Sequence, residues 1–298
     1  MVPSYLSSRW QERGFTKEQA HAYYNGTGTE RPAFPRAPQA SWDVRSPYQR
    51  IRLFEGEGMA AVYLNDTIQM EGQEDHYHNE IMVGIPLSVV RDPRRVLLLG
   101  GGFGMSARLA LRFAAVEAVQ VVEVDAEVVR FSQTSRAMRK LNGKSLFDPR
   151  VCVHIGDAFD FPGGDFDLIV FDCDITATRQ RVGLDADFLV DFLVRLQSRL
   201  RPGGAFSTRI PIDDNYLEVA KQRGGDEDGD LHTTAALVRQ VWPHCRMLEF
   251  LSLFCGRELY VWNFSEEPVL ERRRLPGASP TYQRVLDDLT KTSDWPPR

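Results

Sequence analysis

The pattern of apolar and polar positions changes character along the chain, and each change predicts a different element. Between Trp42 and Glu71 apolar residues alternate with polar ones in the runs YQRIRLFEGEG, MAAVYLN and TIQME, with turn formers at Gly56, Gly58, Asn65 and Asp66. A period of two broken by such residues predicts a small antiparallel β unit. From Asp75 to Val90 the spacing becomes helical, with Ile81, Ile85 and Leu87 on one face and Pro93 beyond its end. Val96 to Leu99 is apolar at every position, which suits a strand buried on both faces. Gly100, Gly101, Gly102, Phe103 and Gly104 follow. A helical pattern then runs from Ser106 to Phe113, and a second apolar strand from Val119 to Val122 ends at Glu123 and Asp125.

The alternation continues downstream. Ala126 to Leu141 reads as a helix, and Val151 to Ile155 as a strand ending at Gly156-Asp157. Asp167 to Phe171 reads as a strand ending at Asp172-Cys173-Asp174, and Asp185 to Leu200 as a helix with Phe188, Leu189, Phe192 and Leu193 facing inwards. Pro202-Gly203-Gly204 ends that helix, and Ala205 to Ile210 is the next strand. A charged loop at 224–230, a helix near 231–241 and strands at 246–253 and 258–264 complete the pattern. Strands alternating with helices and closing on a strand pair predict an α/β fold, a doubly wound parallel sheet with an antiparallel edge. Residues 1–41 are a helical extension broken by NGTGTERPAFPRAP, suited to a lid or a dimer arm, and 266–298 read as a tail with one short helix. The expected division is therefore 1–41, 42–92 (small β unit plus helix), 93–265 (main sheet) and 266–298.

Composition narrows the partners. A net charge of -5, 43% hydrophobic and 26% charged residues describe an ordinary globular protein and argue against a nucleic-acid surface. RRVLLLGGG and ERRRL are short basic runs that read as solvated faces. Cys152, Cys173, Cys245 and Cys255 are not spaced as CxxC, which points to a reduced cytoplasmic protein without a zinc site or disulfide framework. No apolar run approaches the roughly twenty residues of a membrane span. His76 and His78 stand at i and i+2, which on a helix face apart, so no metal is expected.

The chemistry concentrates at strand ends, where ligands bind in such sheets. Glycines let the backbone turn and approach a ligand, the following helix offers free N–H groups, and an acid ending the next strand can hold a ribose diol. That assigns a nucleoside cofactor to the glycine turn, Glu123 to its ribose, Asp157 to an adenine amino group, and Asp172 to whatever is bound beside the nucleoside.

SPYQ, YLNDTIQ, EDHYHNE, RRVLLLGGGFG, VVEVD, DPRVCVHIGDAFDF and FDLIVFD, in this order from about Ser46 to Ser265, resemble the spermidine synthase family of aminopropyltransferases. The resemblance implies a small N-terminal β unit on a Rossmann-like, class I methyltransferase core, often as a homodimer. It also implies intact or decarboxylated S-adenosylmethionine. By match, Gln49, Gln69, Gly100, Gly102, Glu123, Asp157 and Ala158 line the nucleoside half, with Phe103, Gly104 and Val124 from the same turns. The departures fall in the other half. The family's GGGDG acid is Phe103. Its D-S-S-D-P loop keeps Asp172, but the second acid falls on Ile175, with Asp174 as a substitute. Its Tyr-His-Glu becomes His78-Asn79-Glu80, an acid after the next strand becomes Arg209, and a tyrosine before its PSG turn becomes Leu253.

A cationic donor chain and a diamine need fixed carboxylates, because burying an unpaired ammonium is costly. With several replaced and Arg209 suited to a donor carboxylate, the sequence favours intact S-adenosylmethionine over the decarboxylated form. The expected activity is methyl transfer to a small-molecule acceptor. The alternatives are transfer or cyclisation of the aminocarboxypropyl or aminopropyl chain, releasing methylthioadenosine, and a non-catalytic nucleoside-binding protein. Asp172, Asp174, His78 and Tyr77 are the candidate catalytic residues, Asp172 first, with Phe103 and Tyr77 placed to wall the sulfonium by cation–π contact.

Overall fold

The computed structural model describes residues 40–56, 59–65, 67–71, 78–161, 163–173, 186–212, 238, 240–242, 244–252, 256–264, 275 and 277–289. His76, Tyr77, Asp174, Ile175, Leu253 and residues 1–39 of the expected N-terminal extension lie outside these residues, as do the charged loop and most of the helix expected near 231–241.

The alternating N-terminal segment forms a four-stranded antiparallel meander, β1 (Trp42–Arg45), β2 (Arg50–Gly56), β3 (Met59–Leu64) and β4 (Thr67–Glu71). The remaining strands form one seven-stranded sheet. These are β5 (Arg95–Leu99), β6 (Ala118–Glu123), β7 (Val151–Ile155), β8 (Phe166–Phe171), β9 (Leu200–Ile212), β10 (His244–Ser252) and β11 (Gly256–Phe264). Their order is β10-β11-β9-β8-β5-β6-β7, parallel from β7 to β9 and antiparallel through β11 and β10. This is the α/β fold expected from the sequence. The order reverses between β5 and β8, which opens a crevice at their carboxyl ends.

Period-two alternation assigns each strand's side chains to two faces. On one face Val96, Leu98, Leu168, Val170, Tyr260 and Trp262 pack against the first helix, α1 (80–89), and the C-terminal helix. On the other, Leu97, Leu99, Ile169, Phe171, Phe206 and Val261 meet Phe192, Leu193 and Trp242. A third cluster joins the small sheet, through Ile51, Leu53 and Val62, to Val128, Phe131 and Met138.

α1 begins as a π-helical turn, Glu80–Gly84, and continues as Ile85–Val89, with every residue buried. It is fixed to the sheet by Trp262 Nε1, which donates to the Ile81 carbonyl at 3.0 Å. After α2 (Met105–Ala110), the single helix expected over Ala126 to Leu141 is two: α3 (Ala126–Thr134) and α4 (Arg136–Leu141). Ser135 breaks it, because its extended backbone lets its hydroxyl cap α4 at the Met138 N–H. α5 is Ala186–Gln197. β9 starts at Leu200, before Pro202-Gly203-Gly204 rather than after it. A Cβ on Gly204 would lie 2.9 Å from the Arg201 carbonyl oxygen, so only glycine passes there.

The segment expected to be a C-terminal tail is instead part of the core at its helix, α6 (Pro280–Leu289): Tyr282, Val285 and Leu286 are buried. Tyr282 and Ser88 share a hydrogen bond, and the Ser279 N–H donates to Glu80 at 3.1 Å. Burial pushes the Tyr282 phenol up to about 12. Trp262→Phe leaves the Ile81 carbonyl without its donor on the buried side of α1. The expected loss is about 1–3 kcal/mol, read as a lower urea midpoint at unchanged slope.

Candidate active site at the sheet switch point

The glycine turn sits at the end of β5. Gly100, Gly101 and Gly104 have φ of 87°, 90° and 84°, a region open mainly to glycine. Gly102 is required for another reason: a Cβ there would lie 2.6 Å from Glu123 Cγ. That close approach brings Glu123, at the end of β6, under the turn. Its carboxylate accepts from the Gly102 N–H at 3.1 Å and the Asp125 N–H at 3.0 Å. Burial pushes the Glu123 carboxyl up, against the pull of these N–H groups.

Asp125 ties the small sheet to this corner. Its Oδ1 accepts the Glu127 N–H and caps α3, while Oδ2 accepts from the Ser46 hydroxyl at 2.7 Å and from Gln49 Nε2 at 2.9 Å. Gln49 is thus engaged by Asp125, and Gln69 is exposed on β4. Phe103 is the one residue of the turn whose side chain joins the cluster under the small sheet, edge-on to Phe131 at 6.5 Å. Val124 is exposed at the turn after β6. Beyond β7, the exposed Asp157 accepts the Phe159 N–H and Ala158 packs against the core cluster of α5.

Across the switch point stands Asp172. Its N–H donates to the Leu99 carbonyl, and a Cβ on Gly100 would lie 3.1 Å from its carbonyl oxygen, so the glycine turn and the Asp172 loop touch. Asp172 Oδ1 is 2.9 Å from His78 Nε2, and His78 Nδ1 is 3.0 Å from the Tyr260 hydroxyl. A carboxylate only accepts, so Nε2–H donates to Asp172, and Nδ1 shares the second hydrogen bond with the Tyr260 hydroxyl. The His78 and Asp172 side chains keep 23% and 17% of their surface exposed, which leaves the pair reachable. Burial would raise the Asp172 carboxyl. The His78 charge and hydrogen bond, then Arg209 and the Ser106 hydroxyl, outweigh it and hold it below the usual carboxylate range. Ser106 also donates to Asn79 Oδ1 at 2.7 Å, joining α2 to the start of α1.

The neighbouring Cys173 thiol donates to the Leu99 carbonyl at 3.7 Å. Burial, with the charges of Asp172 and Glu123, pushes it far above the ordinary thiol range. Among the described residues no cluster of three potential metal ligands occurs, and no helix is long and apolar enough to cross a membrane.

Of the residues singled out in the sequence, the structure therefore brings Gly100, Gly102, Gly104, Glu123, Asp172 and His78 to the carboxyl ends of β5, β6 and β8. Tyr260 was missed. In GRELYVWNF it alternates with Trp262 and Phe264 and reads as core, and only the fold shows its hydroxyl reaching His78.

The profile of the Spermine/spermidine synthase domain matches residues 74–219. Polyamine aminopropyltransferase 2 of Bacillus cereus is 30% identical over 168 residues, 55% of this chain and 45% of that protein. Putrescine N-methyltransferase 4 of Nicotiana tabacum is 30% identical over 184 residues, 60% of this chain and 46% of its own length. The chain thus spans about half the length of the curated relatives it matches. Spermidine synthase from Thermotoga maritima shares the fold, with a TM-score of 0.64, 20% identity, and coverage of 79% of this chain and 76% of that one.

The relatives it matches are transferases by name. Two expectations from the sequence give way. Methyl transfer is displaced as the leading activity, because the family profile and the Bacillus relative are of the polyamine and aminopropyl class. Intact S-adenosylmethionine is displaced with it, since an aminopropyl group is that donor's side chain without its carboxylate. The structure shows why Arg209 misled. It lies on β9, on the far side of Asp172 from the glycine turn, and not beside the nucleoside corner.

Because the folded Asp172 carboxyl titrates below its ordinary value of 3.8, its ionised, paired form contributes stability above about pH 4 and loses it as pH falls through the folded value. Asp172→Asn removes that contribution. Urea midpoints taken from pH 6 to pH 3 should fall less steeply in the variant than in the wild type.

Proposed function

We propose that the chain transfers an aminopropyl group from decarboxylated S-adenosylmethionine to the amino group of a small acceptor. The observation that carries this is the Asp172 carboxylate, held anionic by His78 and set directly against the Gly100 end of a glycine and Glu123 cradle. The family and the aminopropyltransferase relative support it.

The cradle fits the nucleoside end of such a donor. Glu123 presents a carboxylate fixed by backbone N–H groups, suited to a ribose diol, and Gly102 leaves no side chain above it. Asp157 and Ala158 border the same corner. With the nucleoside there, the sulfonium and its aminopropyl chain extend over Gly100 towards Asp172.

Transfer is a displacement. The acceptor nitrogen's lone pair forms a bond to the sulfonium-bound methylene, and the carbon–sulfur pair leaves on sulfur to give neutral methylthioadenosine. The nitrogen becomes an ammonium and sheds its proton. Sulfonium carbon is already activated, so what remains for the protein is alignment and stabilisation of the charge growing on nitrogen. Asp172 suits both roles. One of its oxygens is held by His78, and the carboxylate keeps enough exposed surface to orient an amine. A carboxyl held this low is a weak base, so its contribution is electrostatic. His78 and Tyr260 act as positioning residues that fix the carboxylate.

Incubation with decarboxylated S-adenosylmethionine and a panel of amines should release methylthioadenosine. Release of S-adenosylhomocysteine from intact S-adenosylmethionine, with no methylthioadenosine from the decarboxylated donor, would overturn the reading. Asp172→Asn should lower kcat by about 100-fold with a smaller change in KM for the donor. Gly102→Ala displaces Glu123 and should weaken methylthioadenosine binding by about tenfold or more, a loss of about 1.4 kcal/mol, read by calorimetric titration.

A further inference from the structure

The helix that presents His78 is not regular. His78 and Asn79 are helical on entering α1, Glu80–Gly84 is a π-helical turn, and Ile85–Val89 is α-helical again. The Ile85 N–H donates to the Glu80 carbonyl, five residues back instead of four. The turn therefore holds one residue more than a regular helix would place in it.

Pro86 supplies the cause. It has no N–H to donate, and its ring crowds the carbonyl four residues before it, that of Met82. The Ile81 carbonyl thereby loses both of its possible backbone partners. In a regular helix it would take the Ile85 N–H, which here goes to Glu80. In a wide turn it would take the N–H of residue 86, which a proline lacks. Trp262 Nε1 donates to it instead, at 3.0 Å. The outer side of the turn is fixed as well. The Ser279 N–H donates to Glu80 at 3.1 Å, and the Tyr282 ring sits where a Cβ on Gly84 would come within 3.0 Å of it.

The added residue matters at His78. His78 and Ile85 are seven residues apart, nearly two turns, so an unbroken helix would set them on one side. Ile85 is buried in the core. One extra residue swings His78 about 100° around the axis from that side. There its ring nitrogens lie 2.9 Å from Asp172 Oδ1 and 3.0 Å from the Tyr260 hydroxyl.

We infer that Pro86 and Trp262 are positioning residues for the site: the proline opens the π-helical turn, the indole N–H holds it open, and the turn aims His78 at Asp172. The effect on rate rests on the aminopropyl-transfer reading. The aim of His78 is measurable without turnover.

The test is Pro86→Ala, which returns a backbone N–H and lets the helix close to regular spacing. Alanine suits a helix better than proline, so the urea midpoint at pH 7 should stay or rise. The His78 contact should nonetheless be lost, while Arg209 and the Ser106 hydroxyl still act on Asp172. Urea midpoints from pH 6 to pH 3 should then fall less steeply than in the wild type, as in Asp172→Asn. The kcat for methylthioadenosine release should drop about tenfold or more, with little change in KM for the donor. On a Trp262→Phe background, Pro86→Ala should recover part of the lost midpoint, because a backbone N–H replaces the indole. The proposal is overturned if Pro86→Ala keeps the wild-type acid dependence, since His78 would still hold Asp172. It is also overturned if Pro86→Ala lowers the pH 7 midpoint, alone or with Trp262→Phe, since the turn would then owe nothing to the missing N–H. If the acid dependence flattens while the wild type releases no methylthioadenosine, the transfer reading fails and the aim of His78 stands.

Discussion

The imidazole of His78 is the tie on which the reactive half of the molecule depends. It connects the end of a central parallel strand, at Asp172, to an antiparallel strand two places away, at Tyr260. Both ring nitrogens are used, so the ring cannot rotate without giving up a contact, and the carboxylate it holds is fixed in direction. The support for His78 comes from below. Trp262 fastens α1 to the sheet through the Ile81 carbonyl, and Ser279 binds Glu80 on its outer side. The C-terminal helix thereby bears on the position of a site residue that lies two hundred residues earlier in the sequence.

The nucleoside corner is built on a different principle, from backbone rather than side chains. Three glycines of the turn adopt a left-handed conformation, the fourth admits Glu123 at a distance no side chain would allow, and backbone N–H groups hold that carboxylate. Asp125 then fastens the small sheet to the same corner through Ser46 and Gln49. Under the proposed transfer, rigid main chain suits the part of the donor that does not react, while side chains line the side where charge develops.

Much of this was legible in the sequence, for physical reasons that differ by region. Continuous apolar runs such as Val96 to Leu99 and the glycine turn locate β5 and the switch point directly, because both-face burial and left-handed backbone leave few alternatives. Asp172 was legible as a strand-end acid. His78 was only one of several polar residues on a helix, and its role depends on a register that pattern does not encode. Tyr260 was hidden because an aromatic at every second position of a strand signals packing first. Arg209 was legible as a charge but not as a location, because only the sheet order places it beyond Asp172 from the glycine turn. The break at Ser135 and the buried face of α6 were missed because a capping hydroxyl and a few apolar residues in a polar stretch are weak signals without their partners.

Cys173 stands one residue from Asp172 and directly against the place where Gly100 has no side chain. A sulfonium donor is an alkylating agent, and thiolate is among the side chains most reactive towards it. Burial and the surrounding carboxylates keep this sulfur in its protonated form, with its hydrogen turned into the Leu99 carbonyl. Under the proposed transfer, the same negative charge that favours a developing ammonium silences the nearest thiol. The consequence of that reading is chemoselectivity: a carbon electrophile rests beside a cysteine, and the amine is the atom that reacts.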